Sequence, residues 1–213
     1  MTDAVRLLLA SGNAKKLREL ALVLSGGDVE LVAPAAIGGL PDVVEDRPDF
    51  RGNAAKKAVS AALHARMWAL ADDSGLEVDA LNGAPGVLSA RFAGAHGDDA
   101  ANNRALLERM ARVPDSERGA RFVCALALAR PDGTIALEVQ GTARGTILRE
   151  PRGTHDFGYD PLFLFTEPGF AVTGRGFAEL DAAEKASVSH RGRALRELAA
   201  QLPELLRAER APR

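Results

Sequence analysis

Two adjacent carboxylates, Asp72 and Asp73, follow the apolar run Ala69–Ala71 and are followed in turn by Ser74-Gly75. Neighbouring carboxylates repel each other unless a cation or solvent separates them. A hard divalent ion such as Mg2+ binds such oxygens, and it usually takes one or two carboxylates together with phosphate oxygens. The plainer alternative is an exposed turn in which an aspartate caps its own backbone. Upstream, Ser11-Gly12-Asn13-Ala14-Lys15-Lys16 lies where a strand gives way to a helix. Backbone N–H groups at a helix start, with lysines nearby, suit a phosphate. The segment is not a Walker loop, since no Gly-Lys-Ser/Thr follows, and a turn with solvated lysines competes with the phosphate reading.

Two later segments are also more polar than their places explain. Phe157-Gly158-Tyr159-Asp160-Pro161 puts two rings around a glycine in a chain that is only 5% aromatic. A ring beside a polar turn can stack on a base, and core packing of both rings is the alternative. Lys185 and Ser189-His190-Arg191 are expected at the start of the last helix. Cations at a helix N-terminus oppose its dipole, so an anionic ligand would explain them, with a solvated charge run as the alternative.

These residues need elements to hold them. Val5–Ala10 predicts a buried strand, and Leu17, Leu20 and Leu24 give Lys15–Leu24 a helical period that Ser25-Gly26-Gly27 stops. Val29–Val32 predicts a second strand, and Ile37–Asp49, rich in Pro, Gly and Asp, a loop. Asn53–Trp68 is an alanine-rich helix, Leu70–Leu81 a strand, turn and strand around Asp72-Asp73-Ser74-Gly75, and Asp98–Met110 a helix. Arg121–Ala129 and Thr134–Ala143 flank Pro131-Asp132-Gly133 as a hairpin, and Pro161–Phe165 is a short strand. Asp181 with Glu184 forms a capping box, and Leu195, Leu198, Leu202 and Leu205 mark a final amphipathic helix from Ser189, ending in a frayed tail, Arg207–Arg213. Crossover helices combined with a hairpin give an α/β fold with a mixed sheet.

A net charge of −2 and a pI near 6.1 argue against a nucleic acid polymer as ligand but leave small phosphates open. Cys124 lies in the apolar run Phe122–Ala129 and predicts a core side chain rather than a catalytic thiol. Asp3 and Arg6 interrupt any signal-peptide pattern, and no apolar run approaches the ~20 residues of a membrane span, so a cytoplasmic protein with no membrane partner is expected.

The four polar segments also resemble, in order, the ITPase-type family of inosine and xanthosine triphosphate pyrophosphatases. The resemblance lies in Ala10-Ser11-Gly12-Asn13 with Lys16, Leu17 and Glu19, and in Asp72-Asp73-Ser74-Gly75-Leu76 with Leu81-Asn82-Gly83-Ala84-Pro85-Gly86-Val87 and Ser89-Ala90-Arg91. It continues through Phe157-Gly158-Tyr159-Asp160-Pro161 and Ala178-Glu179-Leu180, Lys185, Ser189-His190-Arg191-Gly192, spanning about residues 6 to 206. It implies an elongated mixed sheet flanked by helices, a single domain of two lobes with a cleft between them, and a homodimer. The implied reaction is cleavage of a deaminated purine nucleoside triphosphate (ITP, dITP or XTP) to monophosphate and pyrophosphate with Mg2+.

The resemblance further implies that Ser11, Gly12, Asn13, Ala14, Lys15 and Lys16 hold the triphosphate and that Asp73 is the catalytic carboxylate. Asp73, Glu45 and Asp72 would contact the metal, and Ser74, Phe157, Gly158, Tyr159, Asp160, Lys185, His190 and Arg191 the substrate. Two positions depart from the family pattern: Gly153-Thr154-His155-Asp156 stands where a glycine-rich run is usual, and Gly52 where an acidic residue is common. Two alternatives stay open: a Maf-like nucleotide pyrophosphatase of other base preference, and a nucleotide-binding module without turnover.

Overall fold

The computed structural model describes residues 4–13, 16, 17, 20, 21, 24, 29–154 and 157–210. Ala14, Lys15, the stop Ser25-Gly26-Gly27, and His155 and Asp156 lie outside the described residues, as do 211–213. Six strands hydrogen-bond in the order β2-β1-β3-β4-β5-β6: β1 (Val5–Leu9), β2 (Val29–Val32), β3 (Trp68–Val78), β4 (Gly119–Ala129), β5 (Ile135–Ile147) and β6 (Phe163–Phe165). β1 runs parallel to β2 and to β3, whereas β5 and β6 are antiparallel, so the sheet is mixed as expected. The helices described over their full length are α1 (Phe50–Ala65), α2 (Asp99–Arg109), α3 (Ala182–Val188) and α4 (His190–Arg210).

The chain forms two compact units. The first comprises Met1–Asp73, Ala125–Gln140 and Ala194–Arg213, and the second Ser74–Cys124 and Gly141–Arg193. In the first, Leu7–Leu9 of β1 and Ala69–Ala71 of β3 are buried, and α1 contributes Ala54, Ala58, Ala61 and Ala62. Those alanines recur at helical spacing, so the abundant alanine marks a narrow face that can approach its neighbours closely. In the second, Phe122, Phe163, Phe165 and Phe177 pack against Leu76, Leu106, Met110 and Ile147. Of the eight phenylalanines, Phe50 alone belongs to the first unit. Cys124 is fully buried, as its apolar run predicts.

Helix ends follow their caps. Asp49 accepts from the Gly52 N–H at 2.7 Å and starts α1 three residues before the predicted Asn53, and Arg66 at φ 52° stops it ahead of Trp68. Asp98 caps α2 through the Ala101 N–H at 2.9 Å. The predicted capping box is present on α3: Asp181 accepts from Glu184 N–H at 2.8 Å and Glu184 accepts from Asp181 N–H at 3.0 Å. The hairpin turn closes through Arg130 N–H to the Thr134 carbonyl at 2.8 Å.

Four expectations need correction. Leu70–Leu81 is not strand, turn and strand: β3 runs unbroken through Asp72-Asp73-Ser74-Gly75, because each carboxylate has a lysine partner and need not turn out to water. The strand predicted at Pro161–Phe165 is shorter, since Asp160–Leu162 forms a 3-10 turn and β6 begins at Phe163. On α4 the buried leucines are Leu195, Leu198, Leu202 and Leu206, not Leu205, which keeps the 3.6-residue period. Arg207–Arg210 is helical rather than frayed, and Glu209 pairs with Arg130 at 2.8 Å.

Candidate active site

Strand order places the first cluster. β1 sits between β2 and β3, so the chain leaves β1 on one side and returns, through α1, on the other. Open α/β sheets bind ligands beyond the carboxyl ends of their strands at such a switch point. The Ala10 N–H bonds the Leu70 carbonyl at 2.7 Å, so Ser11 emerges from β1 level with the approach to Asp72 in β3. Asn13 then caps the following helical turn, its Oδ1 accepting from Lys16 N–H at 3.2 Å, and Leu17 N–H bonds the Asn13 carbonyl at 3.0 Å. Lys16 Nζ reaches Asp72 at 2.6 Å, and that carboxylate is almost closed to solvent.

Asp73 has a different partner, one that sequence reasoning missed. Lys57 of α1 donates to Asp73 Oδ1 at 3.1 Å and to Glu45 Oε1 at 2.7 Å, bridging the two carboxylates with one ammonium. Asn53, one turn before Lys57 on α1, accepts from the Arg47 N–H at 3.0 Å, and Lys56 bonds the Val44 carbonyl and Asp46, each at 2.8 Å. Three side chains of α1 thus hold the 38–49 loop so that Glu45 faces Asp73. The signal available in the sequence was the i, i+4 pair Asn53 and Lys57 on the helix leading into the Asp-Asp strand.

Burial, joined by repulsion from Glu45, pushes the Asp73 carboxyl above its ordinary range, and the Lys57 ammonium only partly offsets this. Burial alone would lower Lys57, but the combined pull of Asp73, Asp72 and Glu45 leaves it above its usual value. The Asn53 amide also favours the charged carboxylate, although neither Asn53 Nδ2 nor Asp73 Oδ2 completes a well-formed hydrogen bond. Asp73 Oδ2 is therefore a buried acceptor with coordination to spare.

No group of three or more His, Cys, Asp or Glu side chains among the described residues is arranged to hold an ion by itself. The fit to magnesium is of another kind. Two carboxylates already converge on a cation, Lys57 Nζ, and one of them keeps an unsatisfied oxygen, the small protein share that Mg2+ takes when phosphate oxygens and water complete its shell.

The second cluster belongs to the second unit. Arg191 donates Nη2 to Ser74 Oγ at 3.1 Å, tying the start of α4 to the residue after Asp73. Lys185 pairs with the buried Asp160 and stands 5.7 Å from the centre of the half-buried Phe157 ring. It lies in the last turn of α3, not at the start of the final helix, so no dipole opposes it. His190 is a buried ring stacked on Phe122 at 4.8 Å. The structure gives Tyr159 a packing role: its hydroxyl donates to the Ser89 carbonyl at 2.9 Å, and burial raises its pKa. Of the two rings flanking Gly158, then, Tyr159 packs in the core and Phe157 is half-buried beside Lys185.

Gly75 completes the Asp-Asp-Ser-Gly motif for a reason other than turning. A Cβ there would overlap Ser89 Oγ and lie 2.8 Å from the Gly86 carbonyl. Ser89 Oγ cannot yield, since it accepts from Leu76 N–H at 2.9 Å and donates to the Gly86 carbonyl at 2.6 Å. Gly75→Ala is expected to cost ~1–3 kcal/mol by overpacking. Denaturant unfolding with an unchanged midpoint would show that the Gly86–Ser89 contact is dispensable.

The sequence profile of the Ham1 family matches residues 7–201. A dITP/XTP pyrophosphatase of Rhodopirellula baltica is 50% identical over 94% of this chain and 93% of its own length. A dITP/XTP pyrophosphatase of Corynebacterium efficiens is also 50% identical, over 94% and 99%. Among solved structures, a HAM1 protein from Coxiella burnetii superposes with a TM-score of 0.85 at 40% identity, covering 94% of this chain and 99% of that one. A nucleoside-triphosphatase (dITP/XTP pyrophosphatase) from Mycobacterium abscessus gives 0.76 at 48% identity, over 91% and 98%. Profile, sequence and backbone agree over the same span, and the chain belongs to the Ham1 family.

Proposed function

We propose that the protein hydrolyses deaminated purine nucleoside triphosphates (dITP, ITP and XTP) to the monophosphate and pyrophosphate. The observation that carries this reading is the Glu45–Lys57–Asp73 bridge beside the strand-to-helix turn at Ser11, in a chain half identical to two enzymes named for that reaction. Ser11, Gly12, Asn13 and Lys16 line the phosphate side, and Asp72 anchors Lys16 there. Ala14 and Lys15 belong to the same turn by sequence and lie outside the described residues.

Glu45 and Asp73 would hold the magnesium ion, which supplies charge neutralisation on the phosphate oxygens when bound. Asp72 remains the third acidic residue in reach of this group, through its pull on Lys57. Asp73 accepts the proton of the attacking water, a role its raised pKa suits, since burial makes its protonated form less unfavourable. Lys57 offsets the repulsion between the two carboxylates that would otherwise open the site. On the base side Phe157 offers a stacking face with Lys185 behind it, Asp160 fixes Lys185, and Arg191 and Ser74 form a donor pair beside His190. Gly158 and Tyr159 shape the loop that carries Phe157.

The cytoplasm, where the nucleotide pool lies, and a homodimer belong to the same reading by family resemblance. No helix among the described residues is long and apolar enough to cross a membrane.

Phosphorus NMR of ITP incubated with the protein and Mg2+, without added inorganic pyrophosphatase, is the test. The expected spectrum contains monophosphate and pyrophosphate, and chelating the metal stops the reaction. Free orthophosphate with diphosphate would place the attack at the γ phosphorus and overturn the reading; intact ITP would favour a binding module without turnover.

A further inference from the structure

Helix α2 is not among the segments that sequence or family resemblance tie to the site, yet it grips the base-side loop at one residue. Asp99 Oδ2 accepts from the Gly158 N–H at 2.8 Å, and Asn103 Nδ2 donates to the Gly158 carbonyl at 2.9 Å. Positions 99 and 103 are one helical turn apart and so share a face. The N–H belongs to the peptide plane joining Phe157 to Gly158, and the carbonyl to the plane joining Gly158 to Tyr159. Holding both fixes the φ and ψ of Gly158, and with them the directions in which Phe157 and Tyr159 leave it.

That hold adds to the turn bond from Asp160 N–H to the Phe157 carbonyl at 3.1 Å, and Gly158 itself sits at φ 56° with nothing within 4 Å of where a Cβ would stand. A glycine left to itself samples both signs of φ. Tyr159 is anchored separately, by its hydroxyl on the Ser89 carbonyl. The Phe157 Cα lies in the peptide plane whose N–H Asp99 holds, so the direction in which its side chain leaves the loop follows that plane.

We propose that Asp99 and Asn103 are positioning residues that set the Phe157 ring for the base. This rests on the proposed base-side role of Phe157. Asp99 and Asn103 touch neither phosphate nor base; they act through the Gly158 peptide planes. The competing explanation is that Asp99, in the first turn of α2, merely favours the helix dipole. Asp98 already caps that helix through the Ala101 N–H, so the helix keeps its start when Asp99 is replaced.

The two explanations part at the conservative variant. Asp99→Asn keeps an oxygen that accepts from Gly158 N–H but loses the charge, whereas Asp99→Ala loses both. The expected result is a KM for ITP raised ~10-fold in Asp99→Ala and in Asn103→Ala, with kcat changed little and the preference for ITP over ATP narrowed by a similar factor. Asp99→Asn stays close to wild type. Asp99→Asn as impaired as Asp99→Ala, or a wild-type KM in Asp99→Ala, overturns the proposal.

Amide hydrogen exchange in the nucleotide-free protein provides the second readout. Gly158 N–H should be protected in wild type and in Asp99→Asn, and should exchange faster in Asp99→Ala. A wild type that treats ITP and ATP alike would sink the base-side reading, and the proposal's link to specificity with it. Unchanged exchange at Gly158 in Asp99→Ala would instead sink the clamp itself while leaving that reading standing.

Discussion

Asp73→Asn is expected to lower kcat for ITP by at least ~10²-fold at saturating Mg2+, the usual range for loss of a general base. The substitution preserves size and leaves an oxygen for Lys57, so the Glu45–Lys57 contact at 2.7 Å should survive and the fold with it. What disappears is the basic oxygen pair and half of the negative charge that Lys57 bridges. Steady-state kinetics beside a thermal unfolding scan separates the two effects, because catalysis should fall while the midpoint holds. Near-wild-type turnover would move the proton acceptor elsewhere. Asp72, ion-paired with Lys16 at 2.6 Å, would be the first suspect.

The second large effect concerns the base. Hypoxanthine and xanthine present an acceptor at position 6, where adenine presents an amino donor. The donors available to meet that oxygen are fewer than the loop's sequence suggests. Gly158 N–H is taken by Asp99, and Asp160 N–H is taken by the Phe157 carbonyl at 3.1 Å. The Arg191 guanidinium, steadied through Nη2 by Ser74, is the strongest donor group on this side. Adenine would set donor against donor, at roughly 1–3 kcal/mol for each buried group left unsatisfied. Two such mismatches give a discrimination on the order of 10²-fold. The expected order of kcat/KM is ITP and XTP high, GTP low and ATP lowest, with guanine rejected through its 2-amino group. Arg191→Ala should reduce ITP turnover and narrow the gap to ATP. Equal kcat/KM for ITP and ATP in the wild type would eliminate a donor-lined pocket.

Much of this architecture was legible in the chain because it is written in local signals. The strands β1 and β2 are apolar runs, α3 declares itself by Asp181 and Glu184, and the hairpin by Pro131-Asp132-Gly133. The unbroken β3 was not legible. Its pattern reads as a turn at Asp72–Gly75 unless Lys16 and Lys57 are known to reach it, and both partners are distant in sequence. Lys57 itself looks like one of two adjacent lysines on an alanine-rich helix, and its place one turn after Asn53 is all that locally separates it from Lys56, which bonds the loop instead. Gly52, a departure from the family pattern, proves to sit in the first turn of α1 with its N–H on Asp49, leaving Glu45 in place. The Maf-like alternative does not survive membership of the Ham1 family.

Trp68 is the single tryptophan, and it opens the strand that carries Asp73. A guanidinium, that of Arg130, lies 5.9 Å from its ring centre, so its emission will respond when the first unit comes apart. Asp73 lies five steps further along the extended strand, about 17 Å at the usual rise, too far for an ion or a nucleotide at the carboxylates to touch the indole. The protein therefore carries a built-in optical gauge that reads unfolding of the first unit and stays dark to ligation. Fluorescence melts recorded with and without Mg2+ and nucleotide can then be compared directly, with any shift in midpoint measuring binding energy and not a change in the probe.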